Sequence, residues 1–446
     1  MRNRYLAAIP LATLLLTSCA SADATTSPSA AASSPVQPDA AASSPSQPAA
    51  ETSAPPLTPK FPVGHLLTLP QNQNSGPVWN TGDALYELRD ASNMTPEALV
   101  LKTDYAALTQ SVYCDIPGCT HDSDACPAYL ASDFCVGVMA VDGTVYTYPG
   151  ELTNVAPTQI YRIDPAAGKT PVAAVPDALP HHMQLQWCDE YALYGCPLAA
   201  SHQPGTLYRW DWRNDTVQTI PMLADEKIIA CEGSRFLTIR IEANEPFPNF
   251  GSTEQEKAIL AHAVYVYAWL DPATGAREKI CTRPYADGYF HNYYDGRIYY
   301  TGNFRNADTP GQQAALLYFD TADGTEKTLL DGIPLDTYVI DVCVPFSPAF
   351  AGVPQRYLRV LNAGDAYADC LLDMETGDVL PAPAVTAEGV RRPALLLACT
   401  ASGQWLTTAN PRDSYDPQYS LYALWDPADF LADGQPAAWV TMYATE

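Results

Sequence analysis

Seven copies of one strand–aspartate–turn–strand unit, Asp-Gly hairpins upstream of several of them, and the lack of a sustained helical apolar period predict an all-β fold. Four-stranded units of about 50 residues repeated in this way make a β-propeller, here expected to have seven four-stranded blades after a disordered N-terminal linker. A pair of β-sandwich domains is the main competing architecture. It would not place one turn type at one spacing along the whole body.

The copies read "IYRIDPAAGKT" (160–170), "LYRWDWRNDTV" (207–217), "VYAWLDPATGAREK" (266–279), "LLYFDTADGTEKT" (316–328), "CLLDMETGDVL" (370–380) and "LYALWDPADF" (421–430), with "LVLKTDYAALTQSVY" (99–113) as a degraded first copy. Their marker aspartates are Asp104, Asp164, Asp211, Asp271, Asp320, Asp373 and Asp426, in steps of 47 to 60 residues. Four copies carry D-x-x-x-G, ending at Gly168, Gly275, Gly324 and Gly377. Asp accepts backbone N–H groups as the turn opens, and Gly takes the positive-φ position that sends the next strand back. A second hairpin precedes most copies, as in "VMAVDGTVYTY" (138–148) and "NYYDGRIYYTG" (292–302), where Asp-Gly between apolar strands signals a two-residue turn.

The N-terminus, "MRNRYLAAIPLATLLLTSCAS", begins with Arg2 and Arg4 and continues in an apolar stretch from Leu6 to Leu16. That stretch is too short to span a bilayer as a stable helix. It ends in Leu16-Thr17-Ser18-Cys19, which resembles the lipobox of bacterial lipoproteins. The resemblance implies a signal peptide over 1–18, acyl chains on Cys19 and an extracytoplasmic chain held to the cell membrane by lipid. Residues 19–60 then read as an Ala/Ser/Pro-rich stalk, too poor in large apolar side chains to offset the entropy of ordering. Residues 61–446 form the propeller domain.

The formal net charge of −26, from 24 basic and 50 acidic residues, argues against nucleic acid as a partner and against lying flat on anionic lipid. No G-x-S-x-G elbow, H-E-x-x-H or P-loop is present.

One segment stands apart from the repeat: "YCDIPGCTHDSDACPAYL" (113–130). Cys114, Cys119, His121 and Cys126 are the ligand types of a tetrahedral zinc site, in a spacing that fits no common knuckle. Export favours a cystine among Cys114, Cys119, Cys126 and Cys135, or packed reduced thiols, and that reading ranks ahead of zinc. Pro117-Gly118 should turn the chain and bring Cys114 and Cys119 together. The repeat register places 115–133 in a blade-to-blade connection at the channel mouth. His181 and His182, in "DALPHHMQLQW", and Tyr129 are expected on the same channel face as ligand contacts, with Tyr285 and Tyr415 as further stacking candidates. Cys188, Cys231, Cys343 and Cys399 end inner strands and read as core cysteines.

The whole layout resembles that of TolB-like propellers and, at the cysteine segment, uncharacterised surface lipoproteins of Gram-positive bacteria that pair a lipobox with a propeller. That resemblance implies no established activity. The expectation is a non-enzymatic binding or scaffolding module for a glycan, peptide or envelope partner, without a required cofactor. The alternative is an envelope polysaccharide-degrading enzyme, a metal-dependent lyase or glycosidase, working at the channel mouth.

Overall fold

The computed structural model describes residues 58–69, 78–90, 97–131, 136–152, 158–197, 203–245, 253–285, 289–302, 313–334, 338–339, 356–362, 370–381, 384–387, 390–409, 421–432 and 434–443. The body is one compact unit, Pro59–Glu446. It is a β-propeller: successive antiparallel meanders, each with its first strand innermost and its fourth outermost.

Blade 1 is Val78–Asn80, Ala84–Asp90, Ala98–Asp104 and Thr109–Val112, and blade 2 is Val136–Val141, Thr144–Pro149, Gln159–Asp164 and Gly168–Ala174. Blade 3 is Met183–Cys188, Leu193–Pro197, Pro204–Asp211 and Thr216–Ala224. Blade 4 is Lys227–Glu232, Arg235–Glu242, Val264–Leu270 and Arg277–Pro284, and blade 5 is Tyr289–Tyr294, Arg297–Gly302, Gln313–Asp320 and Glu326–Pro334. Leu395–Cys399, Trp405–Ala409, Leu421–Trp425 and Ala438–Trp439 complete the last blade.

These six blades are complete. The seventh expected unit is a partial sheet of Tyr338–Val339, Tyr357–Asn362, Cys370–Asp373 and Val379–Pro381. Its second strand pairs with the first only at Leu361 and Asn362, and with the third only at 357–360. In this copy residues 340–356 separate the first two strands, whereas two to five residues separate them in the six complete blades.

The marker aspartates sit where the repeat predicts, at turns between third and fourth strands. Asp271, Asp320 and Asp373 each accept the amide of the residue four places on, Gly275, Gly324 and Gly377, at 2.8–3.0 Å. Their carboxylates take further turn amides, Asp164 from Ala166 and Ala167, Asp373 from Glu375. All four glycines have positive φ. Where a copy lacks Gly, its replacement adopts the same conformation: Leu108 has φ 54° and Asp215 φ 53°. The last copy departs from the plan. Asp426 stands at the head of a short helix, Pro427–Leu431, instead of opening a hairpin.

The last blade closes the ring on the first, and an N-terminal strap enters it. Between last and first blades, Ala401 N–H donates to Gly82 O at 2.8 Å, Asn80 Nδ2 to Cys399 O at 2.7 Å, and Tyr422 hydroxyl to the buried Glu87 carboxylate at 2.6 Å. Thr441 lies parallel to Thr109 on the outer edge of blade 1. The N-terminal strap carries no hairpin signal in the sequence. Leu67–Thr68 pairs with Cys188 and Trp187 on the axial side of the innermost strand of blade 3. Leu66 N–H reaches Gly233 O and Leu69 N–H reaches Gln186 O, both at 2.7 Å, and Leu66 and Leu69 are buried. Buried Arg209 holds the strap from below, donating to Pro62 O at 3.2 Å and stacking on Phe61 at 4.6 Å.

The inner-strand cysteines behave as packing residues. Cys188, Cys231 and Cys399 are free thiols near the ends of first strands, and burial pushes Cys231 up to about 11 and Cys399 up to about 12. Cys343 and Cys135 lie outside the described residues.

Candidate functional site

The cysteine segment is not a blade-to-blade connection. It interrupts the outermost strand of blade 1. Thr109–Val112 pairs with 101–104 of the third strand, and Tyr129–Leu130 resumes the pairing at Leu99 and Ala98. Val100 is bonded on both sides of the break: its carbonyl accepts Tyr113 N–H at 2.8 Å and its N–H donates to Ala128 O at 2.9 Å. The repeat register assumed that the fourth strand ends at Cys114, because nothing local distinguishes a finished strand from an interrupted one. With neighbouring strands about 4.8 Å apart, the fourth lies roughly 15 Å farther from the axis than the first. The loop therefore stands on the outer rim, and Tyr129 belongs to that rim rather than to the channel face.

Turns alone shape the loop. Cys114 N–H bonds to Val112 O at 2.7 Å, pulling the chain off the ladder. Pro117 and Gly118, with Gly118 at φ 73°, make the predicted turn, closed by Cys119 N–H to Ile116 O at 3.2 Å. His121 adopts φ 61°, and Cys126 N–H bonds to Ser123 O at 2.9 Å. The result is convergence: one ligand atom each from Cys114, Cys119, His121 and Cys126 lies within 4.8 Å of every other. His121 Nδ1 is 3.3 Å from Cys126 Sγ. Cys126 is fully buried and the other three are half-buried.

Cys114, Cys119 and Cys126 are free thiols, the reduced and packed one of the two expected arrangements. Their environments differ. Burial raises the Cys114 thiol and pushes Cys126 up to about 12, whereas the backbone N–H of His121 lowers Cys119 below its ordinary value. Tetrahedral coordination with metal–sulfur bonds near 2.3 Å and metal–nitrogen bonds near 2.0 Å sets donor atoms about 3.5–3.8 Å apart. The rim cluster has that donor number, with every donor atom within 4.8 Å of the others.

Blade 2 grips the loop from outside. Lys169, just past the Gly168 turn, donates to Asp124 Oδ1 at 2.9 Å and to the Tyr129 carbonyl, with its ammonium 5.8 Å from the Tyr129 ring centre. Asp115 N–H donates to Pro165 O at 2.8 Å. Sequence reasoning missed both partners, since "AAGKT" reads only as a turn.

His181 and His182 do lie on the link into the innermost strand of blade 3, as expected, and both are exposed. His182 has φ 62° and its N–H donates to Leu152 O at 2.5 Å. They belong to no converging group of metal-ligating side chains among the described residues. Tyr285 is buried against Tyr265, with ring centres 5.0 Å apart, and offers no stacking face. Tyr415 lies outside the described residues.

No family model and no curated protein matches the chain. Similar solved structures include the β-propeller domain of the trilobed protease from Pyrococcus furiosus, at 8% identity over 82% of this chain and 95% of that one, with a TM-score of 0.43. A puromycin hydrolase aligns at 13% identity over 83% of this chain, with a TM-score of 0.42. An oligogalacturonate lyase in complex with manganese aligns at 13% identity over 62% of this chain and 70% of that one, with a TM-score of 0.32. The chain spans about half the length of the puromycin hydrolase, 54% of it being covered. These are distant likenesses, and the propeller assignment stands on the sheets of this chain.

Proposed function

We propose that the chain is an exported lipoprotein, anchored to the cell membrane through Cys19, whose propeller is a non-catalytic binding or scaffolding module for a glycan, peptide or envelope protein. The anchor reading rests on the Leu16-Thr17-Ser18-Cys19 motif and the Ala/Ser/Pro stalk that follows. Among the described residues, no helix is long and apolar enough to cross a membrane.

One observation carries the binding reading over a metal-dependent lyase at the channel mouth. Among the described residues, the one converging set of metal-ligating side chains is on the outer rim of blade 1, while His181 and His182 stand apart from it. A lyase centre at the channel needs its ligands there.

Two measurements test the proposal. Cys19→Ser should move the protein from the membrane fraction to the medium or leave it unprocessed. Tight membrane association of a correctly trimmed Ser variant would remove the anchor. Incubating the solubilised protein with envelope polysaccharides and peptides should give retention without turnover. Accumulation of unsaturated sugar products would establish the lyase instead.

A further inference from the structure

We propose that Cys114, Cys119, His121 and Cys126 form a structural zinc site that locks the rim loop of blade 1 against blade 2. This inference is independent of what the propeller binds and of the lipid anchor.

Convergence is the first argument. A single cystine needs two sulfurs; here three sulfurs and an imidazole nitrogen crowd within 4.8 Å. Any one disulfide among them would leave a third thiol and the histidine gathered for no purpose. Four donors gathered this closely are what one ion requires.

The second argument is the poverty of the loop itself. Between Cys114 and Cys126, Ile116 is its one large apolar side chain, and Asp115, Pro117, Gly118, Thr120, Asp122, Ser123, Asp124 and Ala125 are exposed. An excursion of this size cannot bury enough apolar surface to hold two left-handed residues, Gly118 and His121, in place. Metal coordination supplies folding energy where a core is missing.

Donor chemistry then selects the ion. Three thiolates and one imidazole in tetrahedral array suit zinc, whereas calcium, magnesium and manganese prefer oxygen ligands. Four protein donors fill the coordination sphere, which marks a structural rather than a catalytic centre. Binding Zn²⁺ sends the three thiol protons to solvent and leaves a centre of net charge −1, with His121 neutral.

The third argument is position. The loop touches blade 2 through Asp115 N–H to Pro165 O and through Lys169 to Asp124 and Tyr129 O. These contacts lie within three residues of Cys114 or Cys126 in sequence, so fixing the loop fixes the outer edges of two neighbouring blades. Lys169 is a positioning residue: it holds the loop without reaching a donor atom.

The test uses the full chain, extracted in detergent and kept reduced. Elemental analysis should find about one zinc per chain, and replacement by Co²⁺ should give the intense visible bands of tetrahedral thiolate coordination. Cys119→Ala and His121→Ala should each lose at least nine-tenths of the zinc. Lys169→Ala should keep the cobalt spectrum while zinc leaves several-fold faster to a chelator. A metal-free wild type that takes up neither ion, or a cystine between any two of the three cysteines mapped in protein extracted without reductant, would overturn the site. So would zinc retained in both ligand variants. Should a ligand variant fail to fold, the cobalt spectrum of the wild type decides alone.

Discussion

The third-to-fourth-strand hairpins and the rim loop both bend the chain through left-handed residues, yet they are held in opposite ways. In the hairpin at 320–324, every requirement is met within five residues: Asp320 accepts the amides of Ala322 and Gly324, and Gly324 takes φ 68°. A Cβ added to Gly324 would meet open space, so backbone conformation alone demands glycine there. The rim loop places φ 61° on His121, a residue with no such freedom, and depends on donor atoms spread from 114 to 126 and on a blade it does not belong to. A local turn is robust because each copy carries its own instructions. A loop that depends on a gathered ligand set stands or falls with that set.

The largest expected effect follows from removing what gathers it. Stripping metal with a chelator should leave the hairpins intact and release the loop, raising the rate of proteolytic cutting between 114 and 127 at least tenfold. In the stripped protein, thiol reagents at pH 8 should label the released loop thiol Cys119 ahead of the inner-strand thiols. Burial pushes Cys231 up to about 11 and Cys399 up to about 12 and keeps both protonated at that pH. Raising the pH toward 11 should bring Cys231 into reaction ahead of Cys399. Equal labelling of Cys119 and Cys399 at pH 8, or unchanged cutting after chelation, would erase the contrast between the two regions.

The same contrast explains what could be read without coordinates. The hairpins were legible because Asp and Gly act on their own neighbours, and the Asp142-Gly143 and Asp295-Gly296 pairs indeed place both residues at positive φ. The ligand residues of the rim were legible as a set by chemistry. Their place was not, because the outer strand resumes at Tyr129 after an insertion, and pairing to Leu99 is a non-local choice. The N-terminal strap was invisible for the same reason: Leu67 and Thr68 carry no hairpin signal and find their partner 120 residues away, at Cys188 and Trp187. The partial sheet at 338–381 shows the converse, since an expected blade lost regularity where residues 340–356, and no short link, separate its first two strands.

A middle-sized effect tests the hairpin side. Gly324→Val should destabilise the protein by about 1–3 kcal/mol, because a β-branched residue is forced to φ 68° with no new contact to compensate. Denaturant unfolding of the metal-loaded protein measures it. Metal content should stay unchanged, as the turn is remote in sequence from the rim. A neutral result would mean that the turn can relax to another type, and that its aspartate rather than its glycine sets the conformation.

The smallest effect reverses the sign. In blade 3 the position equivalent to Gly324 is Asp215, exposed, with φ 53°. Asp visits the left-handed region more readily than most residues, so its strain is modest, but Gly carries none. Against this, glycine loosens the unfolded chain and costs roughly 0.4–1 kcal/mol through its entropy. Relief of left-handed strain, about 1–2 kcal/mol for an ordinary residue and less for Asp, should slightly exceed that cost. Asp215→Gly should therefore stabilise by a few tenths of a kcal/mol, read as a rise in unfolding midpoint at constant slope. Leu108, with φ 54° in blade 1, is the harder case. Its side chain packs against the core of the last blade, and its carbonyl accepts Thr441 N–H at 2.9 Å, so Leu108→Gly exchanges strain for lost burial. The two variants separate what backbone conformation costs from what a side chain returns: a gain at Asp215 with a loss at Leu108 is the expected pattern. A loss at both would show that the turn tolerates a left-handed side chain without measurable strain.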